Sequence, residues 1–100
     1  MKLIGLMALE DFKKDIREAM KRNHVRIYSE VEITGHTAES LEQFGWWHLE
    51  KDLPMYSTLY FAILADDKAE AIMADVEGMA AGSEEEHKPR AFLVNVERMV

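Results

Sequence analysis

The feature that most limits what this chain can become is a switch of hydrophobic period, from strand to helix and back, made twice within 100 residues. Leu3-Ile4-Gly5-Leu6-Met7-Ala8 is a short unbroken apolar run, the pattern of a central strand with both faces covered. From Glu10 to about Asn23 the apolar residues Phe12, Ile16, Ala19 and Met20 recur at helical spacing, with Lys13, Lys14, Arg17, Lys21 and Arg22 between them. Acids at its start and bases at its end suit the helix dipole, and Asn23 is a natural terminator. Val25, Ile27, Val31 and Ile33 then alternate with polar residues, the period of a strand with one buried face, and Gly35 ends it.

Residues 36 to about 57 keep neither period and hold Gly45 and Pro54, so they read as one long excursion, and loops of that length are usually functional. Thr58–Leu64 is β-branched and aromatic enough for a third strand. Asp66 and Asp67 read as the N-cap of a second helix, whose stripe is Ala69, Ile72, Met73, Val76 and Met79 and whose end falls near Gly82. After the acidic connector Ser83-Glu84-Glu85-Glu86, Ala91–Val96 reads as a fourth strand. The order β-α-β-β-α-β predicts an α+β, ferredoxin-like sandwich: an antiparallel four-stranded sheet with two helices on one face.

Composition narrows the function. A chain this short buries only about 60–65% of its unfolded surface, so residues 1–100 are expected to form one domain. A formal charge of −7 argues against a nucleic-acid partner, whose phosphates need clustered Lys and Arg. The absence of cysteine removes disulfides, thiolate metal sites and cysteine nucleophiles. No run approaches 18 apolar residues and Met1–Leu9 lacks a cleavage-type region, so the expectation is a cytoplasmic protein without membrane insertion.

The order of elements, with a long loop between the second and third strands, resembles the PII (nitrogen regulatory P-II) family of signalling proteins. Asp15-Ile16-Arg17-Glu18-Ala19 is similar to the family's DDVREAL pattern, and Glu32-Ile33-Thr34-Gly35 to its hydrophobic-x-Gly step. Asp52-Leu53-Pro54 is similar to DFLP at the loop's return, Ala65-Asp66-Asp67 to the aspartate pair after the third strand, and Arg90–Val94 to the KIFV strand. The resemblance implies a homotrimer, a T-loop over residues 36–57 that engages a transporter or enzyme, and an effector held in clefts between subunits. Matching effector positions are Gly35, His36 and Thr37 on one side and Lys88 and Arg90 on the other. The phosphate loop departs from the family: where PII proteins read TGKIGDGK, this chain has Gly82-Ser83-Glu84-Glu85-Glu86-His87-Lys88-Pro89-Arg90. Three glutamates repel a triphosphate, so an adenine nucleotide is a weakened expectation, with Lys88 and Arg90 the remaining phosphate ligands.

The sequence also holds residues suited to other chemistry. Phe44, Trp46 and Trp47, with His48 beside them, make the loop dense in aromatic side chains. Exposed, they are partner anchors; folded back on the sheet or on a neighbouring subunit, they are ordinary packing. His36 and His48 are the candidate ligands for a divalent metal such as zinc or copper, the basis of an alternative reading as a metal-responsive accessory protein linked to metal efflux. Met20, Met73 and Met79 sit on helix stripes, where core filling explains them. Scattered acids provide no paired general acid and base, so an enzyme is not expected. A further alternative is an oligomerising interaction module with no small ligand.

Overall fold

A computed structural model describes residues 1–34, 57–84 and 87–100. The strands are β1 (Lys2–Ala8), β2 (Ser29–Glu32), β3 (Thr58–Leu64) and β4 (Arg90–Asn95), and the helices α1 (Lys13–Arg22) and α2 (Asp66–Gly82). They form one four-stranded sheet in the order β2-β3-β1-β4, and every neighbouring pair is antiparallel. This is the ferredoxin-like arrangement expected from the order of periods, with the apolar run of β1 at the centre.

Strand parity assigns the two faces. Ile4, Leu6 and Ala8 of β1, with Tyr60 and Ala62 of β3, point to the helices. There they meet Ile16 and Met20 of α1 and Ile72 and Val76 of α2 in one buried cluster. Met20 is fully buried and Met73 and Met79 pack against the cluster, the gap-filling role expected of them. The opposite face carries Leu3, Met7, Leu59, Phe61, Phe92 and Val94, and among the described residues no helix lies over it. Phe61 is 38% exposed, Phe92 40% and Val94 46%. Gly5 lies beneath the Phe92 ring, where a Cβ would collide with it, so the glycine lets an aromatic ring lie flat across the sheet.

Three local expectations are corrected. The second strand does not run from Val25 to Ile33: it is only Ser29–Glu32. The Val25 N–H donates to Met20 O at 2.9 Å, which ties the chain to the end of α1 and holds it off β3. Nor is its apolar side buried as a whole: Val25 joins the buried cluster, but Ile27 is 86% exposed and Val31 lies on the open face. The first helix opens with a 3-10 turn at Glu10–Phe12 before α1 begins. Asp66 and Asp67 lie in the first turn of α2 rather than at its cap, which is Ala65 with no side-chain capping bond. Their charge still favours the positive end of the helix dipole.

At the other end of α1, Asn23 is the terminator anticipated. Its Nδ2 donates to Ala19 O at 2.8 Å and to Asp75 Oδ2 at 2.7 Å, while Arg22 Nη2 lies 3.1 Å from the same carboxylate oxygen. One acid of α2 thereby fixes the crossing of the two helices. His24 follows at φ 58°, a left-handed turn that a side chain adopts at a cost, and Lys68 Nζ donates to its carbonyl at 3.1 Å.

Candidate functional site

The registers bring four strand ends to one end of the sheet. Glu32 of β2 is opposite Thr58 of β3, Ala8 of β1 is opposite the same Thr58, and Met7 is opposite Arg90 of β4. The two stretches that flank residues 35–56, the long loop expected from sequence, are tied down there. The Ile33 N–H donates to Ser57 O at 3.0 Å, and Ser57 donates through its N–H and its hydroxyl to Ala8 O at 3.1 and 3.4 Å. Residues 34 and 57 therefore leave from a fixed pair of strands.

Of the effector positions expected from sequence, Lys88 and Arg90 are exposed at this end of β4, with Pro89 buried between them. Sheet order sets Arg90 two strands from β3 and three from β2, roughly 10 and 14 Å at about 4.8 Å per strand. Within one chain the basic pair and the loop base thus stand at opposite edges of the same end. Gly35, His36 and Thr37 lie outside the described residues, as do Phe44, Trp46, Trp47 and His48 and the T-loop-like excursion they belong to. Among the described residues no group of three or more His, Asp or Glu is placed to hold a metal ion. None of the helices described is long and apolar enough to cross a membrane.

Three features near this region escaped the sequence. Glu30 of β2 points to the helix side, opposite Tyr60, and Arg17 of α1 meets it with both ends of its guanidinium: Nε to Oε1 and Nη2 to Oε2, each 2.8 Å. The hydrogen bonds from Arg17 hold the Glu30 carboxyl below its ordinary pKa. This pair closes the edge that α1 does not cover with apolar side chains. Helical spacing places Arg17 on the polar stripe, but nothing in its position names its partner. Beneath the pair, Tyr60 is fully buried and its hydroxyl has no hydrogen-bond partner among the described residues. Burial raises the phenol's pKa; the neighbouring Thr58 hydroxyl draws it back a little without standing in bonding geometry. Three residues before β4, His87 Nε2 is also buried with no hydrogen-bond partner among the described residues.

No protein-family model and no curated protein sequence matches the chain. Its fold does recur among solved structures. CPII, a nitrogen regulatory PII-like protein from Thiomonas intermedia K12 solved bound to ADP, AMP and bicarbonate, superposes with a TM-score of 0.63. The match covers 99% of this chain and 94% of that one at 14% identity. The fold is therefore that of a PII-like nitrogen regulatory protein, as the resemblance in sequence implied.

Proposed function

We propose that the protein is a divergent, PII-like regulator: a cytoplasmic homotrimer, without catalytic activity of its own, that holds a small effector between subunits and acts through its long loop on a transporter or enzyme. The observation that carries this reading is the apolar sheet face. Leu3, Met7, Leu59, Phe61, Phe92 and Val94 form a continuous surface that nothing in the chain covers among the described residues, and a soluble protein rarely leaves such a surface to water. Three copies packing these faces together bury them with one another.

Association also completes the effector site. The basic end of β4 and the β2–β3 end from which residues 34 and 57 leave lie at opposite edges of one sheet; in a ring of copies Lys88 and Arg90 of one would then face that end of the next, next to which Gly35, His36 and Thr37 are the expected effector positions in sequence. Two cations with Glu84 nearby favour a ligand of modest negative charge over a triphosphate. Nucleoside mono- and diphosphates and bicarbonate are thus the first ligands to offer, the set with which CPII was solved.

A thermal-shift screen of the purified protein against ATP, ADP, AMP, bicarbonate, zinc and copper tests this. A ligand at 100 times its dissociation constant stabilises by about 2.7 kcal/mol. The expected result is a shift with ADP, AMP or bicarbonate that disappears in Lys88→Ala together with Arg90→Ala. A shift with zinc or copper alone, lost in His36→Ala or His48→Ala, would replace this reading with the metal-responsive one. Silence from every ligand would leave the interaction module.

A further inference from the structure

The end of the sheet opposite the loop base carries an opening of its own. β3 has seven residues, but β2 pairs only with Thr58–Phe61. Beyond Ser29 and Phe61 the chain before β2 swings away from Ala62–Leu64, held by the Val25 bond to α1. The gap is a notch of about 480 Å³. Its apolar walls are Val25, Ile27, Ile63 and Leu64, and the titratable groups lining it are His24, Arg26 and Lys68, every one a base. On a chain of net charge −7 this is a local reversal of sign.

Main-chain parity says what such a notch takes. The Ile33 N–H bonds to Ser57 O, so the directly opposite pairs Val31/Leu59 and Ser29/Phe61 are the hydrogen-bonded ones of this ladder. The next pair of that kind is Ile27/Ile63, where pairing has ceased. The N–H and C=O of Ile63 therefore turn toward the notch rather than toward β1. An uncovered strand edge is a template for another strand. Here it is flanked by an isoleucine 86% exposed and by two long cationic side chains.

We infer that the notch docks an extended segment of a partner protein in which apolar and acidic residues alternate. The segment adds to β3 beside Ile63, seats one apolar side chain between Ile27 and Ile63, and presents its acids to Arg26 and Lys68. The site stands apart from the effector cleft, being at the far end of every strand.

The test uses the full chain and a blocked, dye-labelled peptide of alternating valine and glutamate, followed by fluorescence anisotropy. Binding should be saturable and roughly tenfold weaker in Lys68→Glu and in Arg26→Glu, the effect of about 1.4 kcal/mol. It should be lost when alternate peptide amides are N-methylated, because the strand donors are then gone. Equal binding of a valine–lysine peptide, undiminished binding of the N-methylated one, or no binding at about 1 mM would each overturn the inference. So would complete displacement by glutarate, which would make a small carboxylate the occupant. A change of oligomeric mass in Ile27→Asp would assign the notch to a second copy and overturn it as well.

Discussion

Replacing Phe61 with aspartate tests the apolar face directly. Phe61 sits in the middle of β3, opposite Gly5, and points away from the helices. It is 38% exposed, and a phenylalanine has about 200 Å² to bury, so roughly 75 Å² is left to water in the single chain. Covering that area contributes about 2 kcal/mol per subunit at ~25 cal/mol per Å², a factor near 30 in each subunit's association. Three copies lose about 6 kcal/mol, or roughly four decades in the trimer constant, before any cost of desolvating three aspartates is added. Sedimentation equilibrium reads this directly. The wild-type chain should run at three times its 11.5 kDa at micromolar concentration, and Phe61→Asp at 11.5 kDa. Far-UV circular dichroism should be unchanged, since the substitution lies outside the buried cluster; Val31→Asp, at the sheet edge on the same face, is the second variant. A wild-type chain that stays at 11.5 kDa, or a Phe61→Asp protein that keeps the larger mass, would refute the reasoning.

Other consequences follow from the core and its edge. Tyr60→Phe removes a buried hydroxyl that has no partner among the described residues and should raise stability by about 1 kcal/mol in denaturant titration, or about 4–8 °C in Tm; a loss of stability would mean that the hydroxyl is bonded. Ile72→Ala empties a fully buried position of α2 and should cost about 2–5 kcal/mol by the same titration, a range that a well-ordered core cannot escape. The Glu30 pKa is depressed by its bonds to Arg17, so its contribution is full above the ordinary value of 4.5 and is lost as pH falls through the depressed one. Wild type should therefore melt above Glu30→Gln at pH 7, and the gap should narrow as pH falls below 4.5 and close once it is below the depressed value; a gap independent of pH would show that packing, not charge, sets it.

The sequence carried the fold because its elements are bounded by local chemistry. Thr58–Leu64 was legible to the residue, since a β-branched and aromatic run stops at Ala65-Asp66. The second strand was not. Alternation from Val25 to Ile33 is a real period, but it cannot report that the Val25 N–H bonds back to Met20 and draws half the segment off the sheet. Alternation is equally silent about which face is which: Val31 joins the open face, and Glu30, on the helix side, is kept there by Arg17. A long-range ion pair leaves no mark in a local pattern. For the candidate site, the type and order of Lys88 and Arg90 were visible, whereas their distance from the loop base follows only from strand order.

That distance links assembly to ligand binding. On the proposed reading the two halves of the effector cleft stand at opposite sheet edges of a lone chain, so a ligand bound there would hold one half and leave the other in water. A ligand that bridged two copies would stabilise the proposed assembly, and the assembly would in turn cover the face that the single chain exposes. Effector binding, association and thermal stability would then be one linked equilibrium. The melting temperature should rise with protein concentration in the absence of ligand, and an effector should shift it most at low protein concentration, where unliganded chains dissociate. In Phe61→Asp the concentration dependence should vanish together with the response to effector. A response that survived in the dissociated chain would place the ligand wholly within one subunit, and the separation of Arg90 from the loop base would then have no bearing on it.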